Sequence, residues 1–79
     1  MSDLIQEYFA DEKNCYRDMG EVRKLYNTNT TIEQARNARK SLGLMYIWCP
    51  EDLKDFVLGC MNEFDYRMNY RFGVGWALE

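Results

Sequence analysis

The sequence predicts an all-α fold, a compact three-helix bundle with a short C-terminal tail, with residues 1–79 forming a single helical domain. Three observations lead there. Apolar residues recur at gaps of three and four along most of the chain, the period of a helix with one buried face. Two polar or proline-bearing breaks, NTNTT at 27–31 and WCP at 48–50, divide that pattern into three runs. The length of 79 residues, 47% hydrophobic and 29% charged, suits one thin globular core and is too short for two.

The first helix is expected over about residues 3 to 26. Ser2 serves as its cap and Asp3 complements the helix dipole in the first turn. Leu4, Ile5, Tyr8, Phe9, Cys15, Tyr16, Met19, Val22, Leu25 and Tyr26 form its apolar face, and Gly20 marks a kink or a close helix contact. The polar turn at 27–31 is made of residues whose side chains compete for backbone hydrogen bonds. A capping box, Thr30 at the cap and Glu33 three residues on, then opens a second helix over 31–46. Its apolar face is Ile32, Ala35, Ala38, Leu42, Met45 and Tyr46, and Gly43 weakens it near its end. Pro50 at the first helical position, with Glu51 and Asp52 in the first turn, opens a third helix over 50–72. Leu53, Phe56, Val57, Cys60, Met61, Phe64 and Met68 are its apolar stripe. Two glycines in FGVGWALE end it, and the remaining tail is expected to dock on the bundle through Trp76 rather than form a strand.

Composition excludes several functions. A net charge of −3 is the wrong sign for a protein that grips duplex phosphates, so direct nucleic-acid binding is disfavoured. Three cysteines, Cys15, Cys49 and Cys60, stand at wide spacing with no histidine, so neither a zinc site nor another metal centre is expected. They read as free, partly buried thiols in a reducing compartment. Without an apolar run of roughly 18 residues or a basic N-terminal leader, the chain is expected to be cytoplasmic. Catalysis is not expected. The usual base near neutral pH is absent, and the adjacent carboxylates Asp11-Glu12 and Glu51-Asp52 diverge by about 100° on a helix. Arg17 beside Cys15 is the only hint of an activated thiol, and no base accompanies it. No phosphate-cradling loop appears, and the methionines Met19, Met45, Met61 and Met68 sit at core spacing, so no cofactor is expected.

Aromatic residues are 15% of the chain, more than so small an interior can hold, and some must lie at a surface or an interface. The stretch NEFDYRMNYRFGVGW shows where. With the stripe centred on Phe64 and Cys60, a turn of about 100° per residue points Tyr66 and Tyr70 to the opposite flank. Glu63, Asp52 and Asp55 fall near that flank, Arg67 at the stripe's edge and Arg71 nearer its middle, with its aliphatic stem buried. Tyr66, Tyr70, Glu63, Asp52, Asp55 and Trp76 are therefore the candidate partner-binding residues. Exposed tyrosines anchor interfaces at low entropic cost, and flanking carboxylates select a partner surface rich in Lys and Arg. A secondary basic patch, Arg36, Arg39 and Lys40, reads first as a solvated helix face with salt bridges to its neighbours, and second as a phosphate contact.

The pattern thus points to a small acidic, non-enzymatic module that binds a protein with a basic surface, such as one that handles nucleic acid. In size, charge and lack of catalytic residues it resembles, as a type, small phage-encoded inhibitors of host defence such as anti-CRISPR proteins. That likeness implies an inhibitor occluding its partner's phosphate-binding groove. The alternatives are a homo-oligomeric structural or adaptor subunit with Tyr66, Tyr70 and Trp76 between copies, and a small DNA- or RNA-binding regulator using Arg36, Arg39 and Lys40.

Overall fold

In a computed structural model of the chain, residues 2–27 and 29–78 are described; the side chains of Ser2 and Asp3, with the capping expected of them, and Thr28 of the first turn lie outside the described residues. The described residues are all-helical, with no strand. The helices number four rather than three: α1 (Ser2–Ala10), α2 (Glu12–Arg23), α3 (Ile32–Trp48) and α4 (Lys54–Phe72).

The extra helix arises because the run expected over 3–26 breaks at Asp11. Asp11 leaves helical geometry (φ −90°, ψ 116°), and its carboxylate accepts from the Lys13 N–H at 3.0 Å, capping α2. An aspartate offers the backbone a competing acceptor, and at a cap that competition is favourable. The corner is tied from the other side by Asn14 Nδ2, which donates to the Tyr8 carbonyl at 2.8 Å, and by the Cys15 thiol, which donates to the Phe9 carbonyl at 3.1 Å. The break lets α1 pack against α3 as well as α2. Gly20 marks neither a kink nor a close approach: it lies inside α2, and a Cβ there would meet nothing within 4 Å.

A 3-10 turn at 24–26 closes α2. The capping box at the start of α3 is real but one residue later than the spacing suggested. Thr31 is the cap, accepting from Gln34 N at 3.1 Å, while Gln34 Oε1 accepts from Thr31 N at 2.9 Å. Thr30 is buried instead, its hydroxyl donating to the Leu25 carbonyl at 2.8 Å. Helix α3 runs through Gly43 to Trp48. After Pro50 a 3-10 turn at 51–53 leads into α4, and the Lys54 ammonium reaches back to the Tyr46 and Ile47 carbonyls at the end of α3.

The core joins Phe9, Met19, Leu42, Met45, Val57, Phe64, Met68 and Trp76. Phe64, fully buried, is its centre. Tyr26 stacks on it at 6.1 Å between centroids, and Trp76 meets it edge-on at 5.8 Å. Gly73 and Gly75, at φ 95° and 92°, end α4 in backbone conformations that side-chain-bearing residues rarely adopt, and turn the chain back. The tail then forms a 3-10 turn (Trp76–Leu78), not a strand.

Candidate functional site

Tyr66 and Tyr70 lie one turn apart near the end of α4 and are 74% and 90% exposed, while Phe64 on the same helix is fully buried. The core therefore closes without either phenol. Beside them runs an open groove of about 820 Å³ lined by Tyr26, Glu63, Tyr66, Arg67, Met68, Tyr70 and Arg71. Its inner wall is Tyr26, which sequence reading assigned to the core alone. The Arg67 guanidinium lies 4.3 Å from the Tyr26 ring centroid, a cation–π contact, and its Nη2 pairs with Glu63 Oε2 at 3.3 Å. The Tyr26 hydroxyl is buried and has no hydrogen-bond partner within the described residues. Burial, then the Glu63 carboxylate, push its pKa up to about 12. Arg71 is exposed; its guanidinium donates to the Asn27 carbonyl and lies 5.0 Å from the Phe72 ring.

The carboxylates expected to flank the tyrosines do not gather there. Glu63 does, but Arg67 neutralises it. Asp52 and Asp55 lie at the opposite end of the helix, about 16–27 Å away at the rise of roughly 1.5 Å per residue. The aromatic residues they accompany are different ones. Phe56, expected in the core stripe, is 48% exposed and meets Tyr16 of α2, 49% exposed, edge-on at 5.7 Å and 70°. Both rings occupy positions of helical apolar period, so periodicity alone assigned them to the interior; only the packing of α2 beside α4 shows that the seam between them opens to solvent there.

Trp76 leaves the candidate partner-binding set. It is 5% exposed, packed on Phe64 and Phe72, and so serves its own chain rather than a second copy. The basic patch is likewise occupied in large part. Arg36 Nε donates to the Trp76 carbonyl at 2.7 Å, holding the tail, and Arg39 Nε pairs with Asp65 Oδ1 at 2.8 Å, joining α3 to α4. Lys40 is exposed at the rim of the same surface. The neighbour-bridging reading of this cluster is the one the geometry follows.

The thiols are shielded. Cys15, Cys49 and Cys60 are free and buried. Burial pushes the Cys15 thiol up to about 11 and raises Cys49 and Cys60, away from the reactive thiolate. The Arg17 guanidinium turns instead to Asn14 and to the face of Tyr8. Among the described residues no cluster of metal-ligating side chains occurs, and no helix is long and apolar enough to cross a membrane. No protein-family model, curated protein or solved structure matches this chain.

Proposed function

We propose that this chain is a non-enzymatic protein-binding module whose main docking face is the Tyr66–Tyr70 strip of α4. The observation that carries this reading is their exposure, 74% and 90%, on a helix whose buried side is complete without them. Tyrosine supplies broad contact area for two side-chain torsions, and the adjoining groove gives a partner side chain a concave seat. The chain's net charge of −3 favours encounter with a partner that presents a basic surface, although at the strip itself Glu63 stands beside Arg67 and Arg71. The activity this suits is occlusion: an acidic module covering the phosphate-binding surface of a nucleic-acid-handling protein, as phage-encoded inhibitors of the anti-CRISPR type do. Buried, protonated thiols support a reducing, cytoplasmic setting.

The test takes the purified chain as bait, identifies the captured protein by mass spectrometry, and titrates that protein directly. Tyr66→Ala/Tyr70→Ala should weaken binding by about 1–3 kcal/mol, the range of interface anchors, with helicity and melting unchanged. The captured protein's affinity for nucleic acid should fall as the wild-type chain is added. Unaltered affinity of the double variant for its partner would remove the docking face; undiminished nucleic-acid binding by the partner would remove the inhibitory role.

A further inference from the structure

The N-terminal ends of α2 and α4 carry a second surface, distinct in place and in charge from the Tyr66–Tyr70 strip. Tyr16 and Phe56 meet edge-on at 5.7 Å across the seam and are each about half exposed. Each ring has a carboxylate one turn before it in sequence: Glu12 before Tyr16 and Asp52 before Phe56. These first turns lie at the same end of the molecule. Burial raises the Cys15 thiol, and Cys49, Asp18, Asp11 and Glu12 raise it further; burial likewise raises Cys49, which Lys54 and a backbone hydrogen bond pull back down while Glu51 and Asp52 push it up. Among the described residues, no ion pair reaches Glu12, Glu51, Asp52 or Asp55. Carboxylates outnumber cations here: Asp11, Glu12, Glu51, Asp52 and Asp55 against Lys13, Arg17 and Lys54. Two of those cations are engaged elsewhere, Arg17 over Tyr8 and Lys54 on the carbonyl end of α3. Glu12 and Asp55 complement the positive ends of α2 and α4, and Glu51 and Asp52 lie in the 3-10 turn leading into α4, which accounts for their presence but not for two half-exposed rings beside them.

We infer that the Tyr16–Phe56 seam is a docking surface for a basic protein segment, in which an Arg or Lys side chain lies over the exposed rings with Glu12 and Asp52 to either side. A guanidinium over an aromatic face gains cation–π attraction, strongest where water is displaced, and the two carboxylates supply both charge and hydrogen-bond acceptors. Nucleic acid is the wrong charge for this surface. The seam and the tyrosine strip lie towards opposite ends of α4, so a partner engaging both would be held in one orientation along the helix. The inference rests on the proposed basic partner for its biology, but its chemistry can be tested without that partner.

The probe is a hexa-arginine peptide titrated into the isotope-labelled chain and followed by backbone amide NMR. Shifts are expected to concentrate at residues 12–16 and 51–56, to shrink as salt is raised, and to be absent with hexaglutamate. Tyr16→Leu/Phe56→Leu keeps apolar bulk but removes the ring faces and should weaken the interaction at least fivefold; Glu12→Gln/Asp52→Asn, which spares the rings, should do the same. Tyr66→Ala/Tyr70→Ala should leave the peptide titration unchanged, so failure at the seam and failure of the tyrosine strip are read separately. Shifts spread evenly over Glu7, Glu21 and Glu33, or full affinity in the leucine variant, would reduce the effect to bulk charge and overturn the inference. Sedimentation showing wild-type self-association that the leucine variant abolishes would also overturn it, by making a second copy the occupant.

Discussion

Asp65 and Tyr66 are neighbours on α4, yet they belong to two different regions. Asp65 faces α3, where it pairs with Arg39; beside that pair Arg36 holds the tail and Trp76 plugs the core. Tyr66, one residue on, stands in solvent with Tyr70. By residue type both sides looked functional: arginines and a tryptophan on one, tyrosines on the other. The difference is whether another element lies opposite. On the tail side Asp65 of α4 takes Arg39, the tail carbonyl of Trp76 takes Arg36, and Phe64 and Phe72 cover the Trp76 ring, so most of that side's chemistry is spent on folding and Lys40 is left exposed. On the phenol side Tyr66 and Tyr70 stay 74% and 90% exposed, which makes that side the candidate for a partner.

The sharpest way to break this contrast is to cut the core that both sides share. Phe64→Ala should cost about 3–5 kcal/mol in urea unfolding, since a fully buried ring is removed from between Tyr26 and Trp76. A loss under about 1 kcal/mol would mean that Phe64 is not the shared centre. Trp76→Ala should cost about 3 kcal/mol, near the lower bound for an aromatic deletion because the tail can collapse towards the gap. If melting is unaffected, the tail is not part of the folded unit and Trp76 returns to the list of partner contacts.

Alkaline unfolding sharpens the same comparison. Cys15 and Tyr26 hold their protons more tightly in the folded chain than their ordinary values of 9.0 and 10.0, at about 11 and about 12 respectively. Their contribution is therefore whole below pH 9 and is lost progressively as pH rises through 11 and 12. Urea midpoints measured from pH 8 to 11 should fall, and Cys15→Ala should flatten the earlier part of that fall. A slope identical in the variant would assign it to other groups.

The smaller effects separate the two sides directly. Arg39→Gln should cost up to about 1 kcal/mol, the size of a pair whose side chains are 31% and 33% exposed, and lose less at high salt; Lys40→Gln should change stability by less than about 0.5 kcal/mol. Smallest of all, Tyr66→Ala and Tyr70→Ala should each stay within about 0.5 kcal/mol of wild type. A larger stability loss would place those rings in the fold.

Much of this was legible before any coordinates. The 3.6-residue period put Phe64, Cys60, Met68, Leu42 and Met45 inside and turned Tyr66 and Tyr70 out. The paired glycines marked where α4 ends, whereas the start expected at Pro50 came four residues early: a 3-10 turn at 51–53 intervenes and α4 begins at Lys54. The break at Asp11 was signalled only by one residue type that caps helices as readily as it occupies an exposed interior turn, so apolar spacing carried the expected helix straight through it. The site was less legible than the fold. Sequence alone put Asp52 and Asp55 on the phenol flank by helical angle, but an angle says nothing of distance along the axis, and it cannot show that Phe56 and Tyr16 open to water.

By itself, then, the sequence determined the helical class, the buried stripe of α4 and the outward direction of its tyrosines, because these follow from local periodicity, capping and turn chemistry. Only the tertiary structure decided which outward groups stay available. Arg36, Arg39 and Trp76 found partners 26 to 40 residues away, and Tyr16 and Phe56 did not find enough neighbours to be covered. Availability depends on contacts between segments distant in the chain, and a single segment's pattern carries no record of them.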